Sequence, residues 1–109
     1  MQIRTLKEIL ESLNIPGVTV PVAYQRFRQA VDPPFIAFEF AYTNNFDADD
    51  TVYRVRPRYS VFLYTAYKDP LIEDALEALF LQNHIIWDKT ETFLADEELT
   101  QIIYTIYER

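Results

Sequence analysis

Two hydrophobic periods run through the chain, and they meet at one boundary. Residues 51–66 (TVYRVRPRYSVFLYTA) have the alternating character of a strand, whose successive side chains point to opposite faces. Tyr53, Val55, Tyr59, Val61 and Leu63 fall on one face; Arg54, Arg56, Arg58, Ser60, Phe62 and Tyr64 fall on the other. Pro57 cannot donate to a ladder, which predicts an edge position or a bulge there. The period changes at Asp69-Pro70. Asp69 is a suitable helix N-cap, since its carboxylate can accept from the free N–H groups of the first turn. Pro70 suits the first helical position, where no N–H is needed. Leu71, Ile72, Ala75, Leu76, Leu79 and Phe80 then form one apolar stripe at helical spacing, with Glu73, Asp74 and Glu77 off it. Asn83 is a C-terminal stop. A helix so striped is expected to pack on the sheet that the strand belongs to.

The same reading places the other elements. Leu6, Ile9, Leu10 and Leu13 give a helical face over 5–13, and Thr5 with Glu8 has the spacing of a capping box. Residues 14–21 hold two prolines and Gly17, and read as a loop. A first strand is expected over 22–28. Pro33-Pro34 interrupts what precedes it. Residues 35–42 (FIAFEFAY) form a strand apolar on both faces, with Ile36, Phe38, Phe40 and Tyr42 together on one of them; such strands are usually covered on both sides. Residues 43–50 read as a polar loop, 84–89 as the start of a strand with room to continue to 94, 95–98 as an acidic turn and 99–107 as the last strand. Helix, three strands, helix, two strands predicts a single α+β domain over 1–109, with a mostly antiparallel sheet of about five strands and both helices on one face.

Composition narrows the chemistry. Half of the 109 residues are hydrophobic and 16% are aromatic, so a core can form and disorder is not expected. With one glycine, phosphate-cradling glycine loops and tight primed turns are not expected. With no cysteine, disulfides, thiolate nucleophiles and Cys-based metal sites are excluded. A net charge of −7 disfavours binding to a nucleic-acid backbone. No apolar run reaches the length of a membrane span, and the amphipathic MQIRTLKEILESL does not resemble a signal peptide, so the chain is expected to be made in the cytosol of its producing cell.

No stretch announces a reaction. His84, the only histidine, has no serine at a spacing that suggests a nucleophile–base pair; the plainer reading is a capped or half-buried structural histidine. Asn45, Asp47, Asp49 and Asp50 could offer oxygen ligands to a hard cation, but the calcium-loop glycine and distal glutamate are missing. The plainer reading is a solvated loop whose Asn and Asp side chains bond their own backbone. Glu91, Asp96, Glu97 and Glu98 read as a charged turn rather than an acid/base pair. Arg54, Arg56 and Arg58 stand about 7 Å apart on one strand face, at twice the strand rise. They either meet carboxylates on this subunit or the next or form a charged edge that resists aggregation. Eight Tyr, eight Phe and one Trp exceed what one small core readily takes in. Phe46, Tyr53, Tyr64, Tyr67 and Tyr107 are candidates for an oligomer contact, since aromatic residues concentrate at interface centres.

Taken together, VAYQRF at 22–27, PPFIAF at 33–38, NNFDADD at 44–50, YTAYKDP at 64–70, the helix from Ile72 to Leu81 and WDKTE at 87–91 resemble a family of small phage and prophage structural proteins from Gram-positive hosts. The order of elements is similar to that of tail-terminator and tail-completion proteins of long-tailed phages. The resemblance implies a virion protein without enzymatic activity or cofactor. Its subunits would form a ring, with six copies expected, that caps the tail tube and joins it to the head-side connector. An arginine stripe facing acidic segments such as 47–50 or 96–98 would suit the heterologous contact of a closed ring. Two alternatives stay open: another head–tail adaptor or tail-assembly role, and a small metal- or ligand-binding domain built on the 44–50 loop.

Overall fold

The computed structural model of the chain describes residues 1–44 and 56–109. Its elements are α1 (Ile3–Glu11), β1 (Val22–Tyr24), β2 (Phe35–Asn44), β3 (Arg56–Thr65), α2 (Pro70–Gln82), β4 (Ile85–Leu94) and β5 (Leu99–Glu108). The strands form one sheet in the order β1-β2-β3-β5-β4. Every pairing is antiparallel except β1 with β2, which run parallel. The fold is α+β, with the expected order of elements.

The apolar alternation sets one face of the sheet against the helices. Ile36 and Phe38 of β2, Tyr59, Val61 and Leu63 of β3, and Ile102, Tyr104 and Ile106 of β5 are buried in one cluster with Leu6 and Leu10 of α1 and Ile72, Leu76 and Phe80 of α2. Phe80 anchors it, lying edge-on to Tyr104 at 5.4 Å and tilted against Trp87 at 5.7 Å. The α2 connection carries the chain from β3 to β4, and β5 returns between them. β5 therefore lies between two strands that precede it in the chain.

Several expectations change in detail. α1 starts at Ile3 with Gln2 as N-cap, and no side chain caps it; Thr5 lies inside the helix, so the capping-box spacing is not used. β1 ends at Tyr24 rather than at residue 28, because Gln25 takes a left-handed φ of 68° and turns the chain. A register shift between Phe40 and Tyr42 moves Tyr42 off the face of Phe40: Phe40 lies opposite Tyr59, Tyr42 opposite Arg58. Pro57 lies in a central strand, but the β3–β5 pairing begins only at Tyr59, so its missing N–H disturbs no ladder on that side. Asp69 occupies the N-cap of α2 and Pro70 its first turn, although the Asp69 side chain makes no cap bond. Leu71 is 67% exposed and outside the buried stripe, whereas Glu73 is inside it. Asn83 ends α2 and bonds the Leu79 carbonyl through its side chain at 2.9 Å. His84, which follows with φ of 58°, is exposed rather than half-buried.

Candidate functional site

Among the described residues, a cluster of ionisable side chains lies between α2 and β4. Lys68 bonds Glu73 at 2.9 Å and also Glu91. Lys89 lies 2.7 Å from both Glu73 and Glu77. The Tyr104 hydroxyl donates to Glu77 at 2.8 Å. The Glu73 side chain is only 3% exposed. Burial alone would push its carboxyl upward, but the bonds from Lys89 and Lys68 outweigh this and hold it below the ordinary carboxylate range. The bonds to Glu91 and Glu73 raise Lys68. Burial works to lower Lys89, and its bonds to Glu73 and Glu77 overcome it, so Lys89 is raised. Burial, then the Glu77 carboxylate, pushes the Tyr104 phenol up. Each group is engaged by another, and each shift favours the protonation state already present. The arrangement clasps α2 to β4 and β5.

Among the described residues, no helix packs on the second face of the sheet. Its side chains come from the alternate positions: Phe35 and Ala37 of β2, Arg58, Phe62 and Tyr64 of β3, Ile103 and Tyr107 of β5, and Ile86 of β4. Apart from buried Ala37, these are half-buried or at the exposed margin. Phe35 stacks on Tyr64 at 4.8 Å, and the Gln101 amide donates to the Tyr64 hydroxyl at 3.0 Å. The Arg58 guanidinium lies 3.6 Å over the Tyr107 ring, a cation–π contact that holds it flat on the sheet.

One end of this face is walled. Parallel neighbours cannot be joined by a tight hairpin, so the chain from β1 to β2 must travel, and residues 25–34 do so along the uncovered side. Phe27 meets Phe35 edge-on at 5.6 Å. Between this segment and the sheet lies an open cleft of about 600 Å³. Phe27, Phe35, Ala37 and Tyr64 contribute an apolar surface to it, Arg26 and Arg28 line it from the crossover segment, and Glu97 contributes from the β4–β5 turn. Arg26 and Arg28 are exposed.

The residues singled out from the sequence divide into three groups. Arg58, Tyr64 and Tyr107 share the uncovered face. Tyr67, 70% exposed, follows β3 at the cleft end of the sheet. Arg56 belongs to β3 by its backbone, while Phe46, Tyr53, Arg54 and the proposed cation ligands Asn45, Asp47, Asp49 and Asp50 lie outside the described residues. Arg58 faces an aromatic ring of its own chain, so a straight row of arginines aimed outward does not describe it. Among the described residues, no group of three or more His, Asp or Glu side chains could hold a metal ion. Sequence reasoning missed the cleft and the roles of Arg26, Phe27 and Arg28 in lining it. Only the parallel placing of β1 brings these residues against the sheet, and a three-residue strand carries no local sign of its partner's direction. The chain matches no protein-family model and no curated protein sequence.

Proposed function

We propose that the protein is a non-enzymatic virion subunit that assembles with copies of itself into a ring at the end of a phage tail tube, next to the head. The single observation that carries this reading is the sheet face left uncovered by the described helices, where Phe35, Phe62, Tyr64, Ile86, Ile103 and Tyr107 present a half-open apolar and aromatic surface beside Arg58. Such residues recur at the centres of protein interfaces. The order of elements agrees with the tail-terminator resemblance. Glu73 and Glu77 of α2, Lys89 of β4 and Tyr104 of β5 are engaged in holding the helix. The membrane plays no part in the reading, and no helix of the described residues is long and apolar enough to cross one.

The test is light scattering at several protein concentrations, followed by electron microscopy with tail tubes. A ring-sized mass and density at tube ends are expected. A chain that stays monomeric and never joins a tube overturns the reading. If rings form but bind the head-side connector and not the tube, the adaptor role replaces the terminator role.

A further inference from the structure

We infer that β4 is a pairing edge, and that two copies of this chain join there about a two-fold axis into one continuous sheet. The contact is separate from the proposed ring, because a patch that meets itself closes at two copies.

The state of the edge is the first argument. β1 and β4 are the outer strands of the sheet. β1 is three residues long and templates little. β4 runs for ten residues, holds no proline and pairs with β5 without a register shift. Proteins blunt such an edge with bulges, prolines or lysines held over it. The one lysine of β4 is turned instead onto Glu73 and Glu77. The free backbone groups of β4 can be assigned. The Arg109 N–H donates to the His84 carbonyl at 2.9 Å, and the β4–β5 ladder continues from that pair. Bonded and unbonded positions alternate in an antiparallel ladder. The even-numbered residues of β4 therefore bond β5, and the N–H and C=O groups of Trp87, Lys89, Glu91 and Phe93 point away from the sheet. Phe80 packs against both Trp87 and Tyr104, so α2 lies over the β4–β5 pair, inside the edge.

Register is the second argument. Two antiparallel copies match their outward groups only when opposed residues are both odd or both even. The two longest registers of that kind set residue 89 against itself or residue 90 against itself. The first opposes Lys89 to Lys89. The second puts Thr90 on the axis and opposes Lys89 to Glu91, Trp87 to Phe93 and Ile86 to Leu94, each twice. It also sets Asp88 against Thr92, whose hydroxyl can donate to it. The next registers on either side oppose Asp88 to Asp88 or Glu91 to Glu91. Opposite charges and aromatic pairs across strands stabilise a ladder, and like charges directly opposed destabilise it. One register is therefore self-complementary. It gives Phe93, which is 62% exposed, an indole neighbour, and it makes about eight backbone bonds between the copies.

Charge selects this register without drawing the copies together. The chain carries −7, and Asp74 and Glu77 make the flank of α2 beside the edge acidic. The turn acids Asp96, Glu97 and Glu98 of one copy come to the end where the other carries His84, Glu108 and Arg109, which adds no net attraction. The backbone ladder and the apolar pairs hold the contact.

Single cysteines in the full-length chain read the register, since the natural chain has none. Residues 88, 90 and 92 are exposed and make none of the bonds that hold α2. Thr90→Cys stands opposite itself at a pair without mutual backbone bonds, where Cα atoms lie about 4.5 Å apart and a disulfide can close. With oxidised glutathione as the oxidant, Thr90→Cys is expected to cross-link to itself at least about tenfold faster than Asp88→Cys or Thr92→Cys alone. An equimolar mixture of those two is expected to cross-link as mixed dimers at a rate near that of Thr90→Cys. Glu91→Pro removes one outward N–H and no bond to β5. Light scattering over a concentration series is expected to show its pairing weakened at least about tenfold, with a circular dichroism melt to show that it folds. The cysteine mapping decides alone where the proline variant does not fold. Thr90→Cys cross-linking no faster than Asp88→Cys alone overturns the two-fold edge, and so does a folded Glu91→Pro that pairs as the wild type does. Neither result touches the ring, whose contact is centred on the sheet face.

Discussion

Glu73→Gln is the sharpest test of what holds α2 in place. The carboxylate is buried, 2.9 Å from Lys68 and 2.7 Å from Lys89. The amide keeps the shape and one carbonyl acceptor, but loses the charge and at least one of the two ammonium bonds. Hydrogen bonds to charged groups contribute about 1.5–3 kcal/mol, and breaking a buried pair costs about 3–5 kcal/mol. Glu77 and Glu91 still hold Lys89 and Lys68, which keeps the cost low in that range, at about 2–3 kcal/mol. With a urea dependence of about 1–3 kcal/mol per molar, the unfolding midpoint should fall by roughly 1–2 M. The direction with pH is fixed by the sign of the shift. The folded carboxyl titrates below its ordinary value of 4.5. Its contribution is complete above that value and is lost as the pH falls through the folded pKa. The difference between wild type and Glu73→Gln should therefore be full at pH 7 and shrink in acid, where the wild-type side chain becomes neutral as well. A midpoint change worth less than about 0.5 kcal/mol, or a difference that persists undiminished in acid, refutes the assignment of Glu73 as a charged clasp.

Further outcomes follow from the same core. Tyr104→Phe removes the bond to Glu77 and keeps the ring against Phe80; urea titration should show a loss of about 1–2 kcal/mol. Phe80→Ala empties the space between Trp87 and Tyr104 and should cost about 3–5 kcal/mol, read through the fluorescence of Trp87, the only tryptophan. In alkali the fold should weaken for two reasons measurable by circular dichroism. Lys68 and Lys89 have raised values, so their contribution is complete below the ordinary 10.5 and is lost as the pH rises through the folded values; the buried Tyr104 resists ionisation, so the unfolded chain gives up that proton first.

The start of α2 was legible because its signal is local: Pro70 cannot sit inside a helix or a central ladder, and the period of apolar residues changes beside it. The hidden face of β3 was legible for a similar reason, since alternation of side chains needs no knowledge of partners, whereas β5 is apolar on both faces and needed its neighbours to show which one is hidden. What was not legible depended on distant residues. Glu73 reads as a solvent position by its own polarity; it is buried because Lys68 and Lys89 arrive from outside the helix to pair with it. The shift that turns Tyr42 away from Phe40 is a bulge with no glycine or proline at it to announce it. Arg58 looked outward until β5 was placed beside β3, which brings Tyr107 under its guanidinium. The cleft was hidden most completely, because it is made by a crossover that only the parallel β1–β2 pairing requires.

The arginine-lined cleft and the aromatic surface beside it imply different responses of assembly to salt, and this separates the forces that would join subunits. Ions shorten the reach of charge from about 8 Å at physiological ionic strength to about 3 Å at 1 M. Contacts of the exposed Arg26 and Arg28 with carboxylates of a neighbouring subunit would weaken under such screening, and the rate of encounter would fall more than the lifetime of the complex. Burial of Phe62 and Ile103 against a neighbour is not screened and is strengthened by sulfate. Association measured in sodium chloride should therefore weaken several-fold between low salt and 1 M and then level off where the apolar contribution remains. Association that only strengthens with added salt would assign the subunit contact to the aromatic face alone, and the arginines of the cleft would have no part in it.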